Sequence, residues 1–261
     1  MKDLWIRGKR KLDAYISKPI DETTTQKFPL VIIAHGFNSS KENSTAKALM
    51  PFLKENRISS IAFSFSHHGN SEGKFEEVTI SHMIEDLQTV INYASSLKWV
   101  SELAIVATSM AGIPAIISVA KDNTNQNKIK ALCLRAGVSD FTTITRIKNA
   151  NVEEWKTKGF VQYPSKLKGG PIKLNYSFYE DGITHDCYKV TPKISIPVLI
   201  VHGTADANVP IEQSEKLFSI LKCEKEFFKV EGADHWLHSS EKDNNPKVFT
   251  KIANWLTKKL R

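Results

Sequence analysis

The chain has 261 residues, enough for one large α/β domain or two small ones. Hydrophobic residues make up 41% and charged residues 25%, an ordinary globular balance that excludes a disordered or fibrous chain. The net charge of +8 comes from lysines spread along the sequence, with no Lys/Arg block interleaved with aromatics, so nucleic-acid binding is not expected.

At the N-terminus, Leu4–Ile6 and Leu12–Ile16 flank Gly8-Lys9 and predict an antiparallel hairpin at a sheet edge. The same stretch carries Lys2, Asp3, Arg7, Lys9, Arg10, Lys11 and Asp13. No apolar segment follows these charges, so no secretory signal is expected. Short apolar runs, most of them continuous, then recur at Leu30–Ala34, Ile58–Phe65, Leu103–Ala107, Ile129–Leu134, Pro197–Val201 and Phe227–Val230. Runs of this kind predict strands buried on both faces, as in a parallel sheet covered by helices. Between them, the apolar positions of Ile80–Leu97 step by three and four and predict a helix, with Thr79 as its cap. Leu103 to Ala120 is uncharged and approaches transmembrane length. Thr108, Ser109, Gly112 and Pro114 interrupt it, so it reads as strand, sharp turn and buried helix, and no integral membrane segment is expected. Where that helix starts is open: from Met110, Pro114 would fall beyond the free first turn. Residues 140–193 break the rhythm, with aromatics and turn residues but no period, and read as an insertion over one end of the sheet. Pro210 predicts the first position of a helix over Ile211–Leu221. Pro246 precedes a C-terminal helical pattern through Trp255 and Leu256. Alternating strands and helices give an α/β class: a mostly parallel, doubly wound sheet of about eight strands. The core is then 1–139 with 194–261, and 140–193 is a cap or lid.

Cys133, Cys187 and Cys223 are far apart, and no metal-ligand spacing occurs, so neither a disulfide framework nor a metal site is expected. Isolated thiols fit a reducing compartment, the cytoplasm. Nothing in the sequence fixes the oligomeric state; a homodimer is compatible with it.

Four short motifs carry chemistry. In Leu103-Ala-Ile-Val-Ala-Thr-Ser109-Met-Ala-Gly, a strand runs into small residues around a serine. A serine hydroxyl becomes a useful nucleophile on a tight strand-to-helix turn beside a base. Ala107 and Ala111 stand where glycine is usual. His35-Gly36-Phe37 follows an early strand, and acyl transfer needs two backbone N–H donors for the oxyanion; Phe37 and Met110 are the candidates. His202-Gly-Thr-Ala-Asp206 presents a carboxylate at a strand end, where an acid that orients an imidazole belongs, although such aspartates also cap turns. Gly232-Ala-Asp-His235 places a histidine in the loop after the last strand, with a pKa near neutrality that suits a general base. Asp140, also after a strand, is an alternative acid. The chain order Ser, Asp, His with each residue after a strand is what gives these separately weak motifs weight.

With these motifs and the loop Gly69-Asn-Ser71-Glu-Gly73-Lys-Phe75, the chain resembles the α/β-hydrolase superfamily over nearly its whole length. It is most similar to small carboxylesterases of the cinnamoyl and feruloyl esterase group. The resemblance implies Ser109 as nucleophile, His235 as base, Asp206 as acid, and Phe37 with Met110 as oxyanion donors. It implies cleavage of a small-molecule ester of an aromatic or short-to-medium acyl group, with no cofactor. Thioesterase, lipase-like or peptidase activity with the same residues, and a non-catalytic binding role, stay open. Lys156, Lys158, Lys166, Lys168 and Lys173 form an acid-free run in the insertion that reads as a solvated face.

Overall fold

The computed structural model of the chain describes residues 1–19, 26–121, 129–165, 169–239, 242–243 and 245–260. Strands β1 (Lys2–Arg7) and β2 (Lys11–Ser17) form the N-terminal hairpin, paired antiparallel. β3 (Phe28–Ala34), helix α1 (Ser44–Glu55), β4 (Ser59–Phe63), α2 (Ile80–Ser96), β5 (Val100–Thr108), α3 (Gly112–Lys121) and β6 (Ile129–Arg135) follow. The sequence pattern gave no sign of α1, because Pro51 sits inside it and a proline ordinarily marks a break. The Thr79 hydroxyl does cap α2, accepting from the His82 N–H at 3.1 Å.

The described part of residues 140–193 forms short pieces: α4 (Thr145–Lys148), α5 (Val152–Lys158), the antiparallel pair β7 (Phe160–Tyr163) and β8 (Ile172–Asn175), α6 (Ser177–Gly182) and α7 (Cys187–Val190), with 3₁₀ turns at either end. β9 (Val198–Gly203), α8 (Ile211–Ile220), β10 (Lys225–Val230) and α9 (Asn245–Lys259) complete the chain. Pro210 is not the first residue of α8. Its ψ of 133° is extended, so it stands just outside as the cap residue.

The main sheet has eight strands in the order β1-β2-β4-β3-β5-β6-β9-β10. The hairpin and the β2–β4 junction are antiparallel, and every other junction is parallel. Period-two alternation divides the core between two faces. Leu30, Ile32, Leu103, Ile105, Leu132 and Ile200 pack with residues of α2 and α3. Val31, Ile33, Val106, Cys133, Leu199 and Val201 pack with α1 and α9. This two-sided burial, about 1.5–3 kcal/mol for each large aliphatic side chain, explains why the central strands read as apolar runs; β10, expected to be buried on both faces, is instead a half-exposed edge strand. β4 lies on one side of β3 and β5 on the other. The loops after β3 and β5 therefore part at the carboxyl edge, where doubly wound sheets place ligand crevices. No helix among the described residues is long and apolar enough to cross a membrane.

Candidate active site

Ser109 closes β5 and opens a single 3₁₀ turn, Ser109–Ala111, that runs into α3. Its φ of 55° is left-handed, a conformation that costs a non-glycine residue on the order of 1–3 kcal/mol. The neighbours hold it there. The Ser109 carbonyl accepts from the Val138 N–H at 2.9 Å. A Cβ on Gly36 would lie 2.9 Å from the Ser109 Cβ, so only glycine lets the β3 loop come this close. Ala107 and Ala111 are both fully buried, and their methyl groups fit. Gly112 cannot carry a Cβ either, since one would meet the Val138 carbonyl oxygen at 2.5 Å. Pro114 is the third residue of α3, inside the first turn, whose N–H groups have no partner within the helix. It breaks no bond there.

The structure brings Asp206 and His235 to this serine. His235 Nε2 lies 2.9 Å from Ser109 Oγ, and His235 Nδ1 lies 2.7 Å from Asp206 Oδ2. Asp206 Oδ1 accepts from the N–H groups of Asn208 and Val209, both at 2.9 Å. The carboxylate therefore caps its turn with one oxygen and faces the imidazole with the other. His202 also donates to Oδ2, from Nε2 at 3.1 Å, and Ser214 Oγ sits 2.7 Å from its Nδ1. Burial alone would raise the Asp206 pKa, but the bonds from His202, His235 and Val209 outweigh it and hold the carboxyl below the ordinary carboxylate range. His202 was part of the quoted motif without a role; its function as a prop for Asp206 depends on an i, i+4 loop contact that no pattern encodes.

The alternative acid Asp140 and the neighbouring Asp234 are engaged elsewhere. Asp140 caps the short turn Phe141–Thr143, accepting from the Thr142 N–H at 3.0 Å and its hydroxyl at 2.7 Å. Asp234 shapes the histidine loop, accepting from the N–H groups of Trp236 and His238 at 2.9 and 2.8 Å.

The Phe37 loop is fixed from beneath by His35, which is fully buried. Its Nδ1 lies 2.6 Å from the Gly36 carbonyl oxygen, and its Nε2 accepts from the Phe65 N–H at 3.0 Å. Both contacts require a neutral ring protonated on Nδ1. Burial, with His68 nearby, lowers its pKa to about 3. Met110 is the second residue of the 3₁₀ turn, where helical N–H groups point outward without an intrahelical acceptor. The Phe37 ring packs among Phe178, Phe75, Tyr163 and His68, with centroids 4.8–5.7 Å away. Two of those rings, Tyr163 and Phe178, come from residues 140–193.

That segment is tied down at two further points. Ser165 Oγ donates to Asn38 Oδ1 at 3.1 Å. Asp181 accepts from the Ser81 N–H at 2.8 Å and its hydroxyl at 2.5 Å, joining α6 to the start of α2. Although burial opposes it, bonds from His185 and Ser81 lower the Asp181 pKa to about 2. In the lysine run, Lys158 meets Glu154 at 2.5 Å and Lys173 lies over the Phe160 ring; Lys166 and Lys168 lie outside the described residues.

Comparison with known proteins adds a family. A model of the prolyl oligopeptidase family matches residues 75–261, the span that holds Ser109, Asp206 and His235. A model described as acyl transferase matches residues 2–143. The human protein named palmitoyl-protein thioesterase ABHD10, mitochondrial, is 26% identical over 216 residues, covering 80% of this chain and 67% of that protein. Among solved structures, Est1E from Butyrivibrio proteoclasticus with bound ferulic acid aligns at a TM-score of 0.77 and 23% identity, covering 98% of both chains. Mouse alpha/beta hydrolase domain-containing protein 10 aligns at 0.77 and 20% identity, covering 99% of each. The fold shared with these structures is that of the α/β hydrolases.

Proposed function

This chain belongs to the prolyl oligopeptidase family, and from that premise we propose that it is a serine hydrolase that cleaves carboxylic esters by acyl transfer through Ser109. The observation that carries this reading is the unbroken line of contacts from Ser109 Oγ through His235 to Asp206, set on a strained turn. Asp206 keeps Nδ1 of His235 protonated, which leaves Nε2 free to accept the Ser109 proton as Oγ attacks the acyl carbon. The N–H groups of Phe37 and Met110 receive the developing oxyanion, each worth about 3 kcal/mol of barrier by comparison with such donors generally. His235 then hands the proton to the leaving atom, the acyl–oxygen bond breaks, and water enters by the same steps in reverse.

Residues 140–193 act as a cap on this site, and 1–139 with 194–261 as the catalytic core. The aromatic cluster around Phe37 supports an aromatic or short-to-medium acyl group as the portion held beneath the cap. A thioester reading stands beside the ester one, because the human relative is named a palmitoyl-protein thioesterase. Three free thiols fit a reducing setting, which we take to be the cytoplasm.

The test is turnover of p-nitrophenyl butyrate and of butyryl-thiocholine by the wild-type chain and by Ser109→Ala, with fluorophosphonate labelling alongside. We expect the substitution to abolish labelling and to lower kcat by at least about 10⁴-fold with the melting temperature retained. Undiminished turnover in Ser109→Ala would overturn the mechanism. The wild-type ratio of the two rates assigns ester or thioester preference.

A further inference from the structure

The mechanism assigns no task to Trp236, the residue after His235. Its side chain is 59% exposed, and its ring meets the His235 imidazole edge-on, with centroids 5.6 Å apart. One exposed apolar residue is ordinary on a protein surface, but this one stands on a fixed backbone. The Trp236 N–H donates to Asp234 Oδ1 at 2.9 Å. Its carbonyl accepts from Arg135 Nη2 at 3.2 Å and from Asn245 Nδ2 at 3.0 Å. The next residue, Leu237, is fully buried with a left-handed φ of 66°. Arg135 is itself 4% exposed, and its Nη2 also donates to Asn245 Oδ1 at 3.1 Å. The loop thus turns one apolar side chain inward and holds the other out beside the imidazole, where little further ordering is needed to use its surface.

The chemistry says what meets that surface. When the tetrahedral intermediate collapses, the electron pair of the breaking bond goes to the leaving oxygen or sulfur, which takes the Nε2 proton of His235. The leaving atom must lie within hydrogen-bond reach of that nitrogen, so the substituent it carries emerges past the imidazole. In the sheet order, β5 with Ser109 lies between β3, which precedes Phe37, and the β9–β10 side that bears Asp206 and His235. The oxyanion and the aromatic cluster of Phe37 are on the first side and Trp236 on the second. We infer that Trp236 recognises the leaving group, and that the substrates are esters or thioesters whose alcohol or thiol portion is a sizeable apolar group. This inference rests on the hydrolase reading above.

The experiment compares methyl butyrate with benzyl butyrate, which share an acyl group. For both, kcat/KM covers the steps up to alcohol release and excludes the common deacylation. The wild type, Trp236→Ala and Trp236→Phe are assayed. We expect the benzyl-to-methyl ratio of kcat/KM to fall about tenfold in Trp236→Ala, equivalent to about 1.4 kcal/mol of transition-state binding, and to fall less in Trp236→Phe. A wild type that turns over both esters and keeps the same ratio in Trp236→Ala overturns the inference alone, even if both rates drop together. A wild type that hydrolyses neither ester and takes no fluorophosphonate label defeats the hydrolase reading and this inference with it.

Discussion

One oxygen of Asp206 takes the N–H groups of Asn208 and Val209, and the other takes His235 and His202. An amide in its place keeps an oxygen for the turn but turns an NH₂ toward Nδ1 of His235. The imidazole must then carry its proton on Nε2, facing Ser109, and can no longer accept the serine proton. On the proposed mechanism Asp206→Asn should therefore lower kcat by about 10⁴-fold; the turn keeps its acceptor, but the melting temperature should fall, because the NH₂ also meets the His202 Nε2–H donor and the stabilised carboxylate is lost. Asp140→Asn keeps the oxygen that caps the turn at Phe141–Thr143, and steady-state kinetics should show kcat within about twofold of wild type. A large loss from Asp140→Asn with activity retained in Asp206→Asn would reassign the acid. At this scale the sequence is read through local context: Ser109 and Asp206 follow buried strands, His235 follows the half-exposed edge strand β10, and their order is informative. His202 and Arg135 are not legible that way. Arg135 reaches the carbonyl of Trp236 across 101 residues of sequence, and no spacing rule links such positions.

Among the elements, those buried on both sides or along one clear face were legible, and those defined by their contacts were not. β3, β5, β6 and β9 are continuous apolar runs because two helical layers cover them, and α2 keeps one apolar stripe and a threonine cap. α1 has a buried face of Ala46, Leu49, Met50 and Leu53, yet Pro51 hides the pattern. Residues 140–193 have no readable period because their helices are 4–7 residues long, too short to repeat a face. Two of their rings, Tyr163 and Phe178, pack against Phe37 instead. The loop joining β10 to α9 depends on a different kind of contact. Arg135 is buried, and burial lowers its pKa to about 10, with its guanidinium stacked over Phe249 and bonded to Asn245 and the Trp236 carbonyl. Arg135 forms no ion pair among the described residues, although Asp206 and Asp234 offset part of its burial; burying such a cation is costly, and an apolar side chain of similar length commonly serves stability as well or better. Arg135→Met should thus leave the melting temperature equal or raise it. It should still lower kcat by about tenfold, because the loop that bears His235 loses one of the two bonds to the Trp236 carbonyl. Thermal melts and steady-state kinetics on one preparation test both halves, and a variant that loses stability and activity in parallel would show a structural role only.

Over the whole molecule, His35 and His67 set how the fold first responds to acid. His35 is neutral in the folded chain, its pKa lowered to about 3 mainly by burial, whereas an exposed histidine titrates near 6.5. Above pH 6.5 neither state is protonated there, so the full stability is present. As pH falls below 6.5 the unfolded chain takes up a proton that the folded chain refuses, and stability is lost until the folded value is reached. By pH 5 this amounts to about 2 kcal/mol. His67 acts with the same sign, since burial and the adjacent His82 also lower its pKa. Asp206 and Asp181, both depressed, add stability that is present above the unfolded carboxylate range and lost only at lower pH. Asp86 works in the opposite sense: burial raises its pKa, so protonation of the folded state relieves a cost as pH falls. Because the histidine contribution begins near neutrality, the melting temperature should drop by about 5 °C between pH 7 and pH 5, well before Asp206 and Asp181 titrate. His35→Asn retains a donor for the Gly36 carbonyl and removes the titrating ring. It should lower the melting temperature at pH 7, where the bond from Phe65 is lost, and flatten the slope between pH 7 and 5. If calorimetry gives His35→Asn the same slope as wild type, the acid sensitivity of the fold lies in other groups.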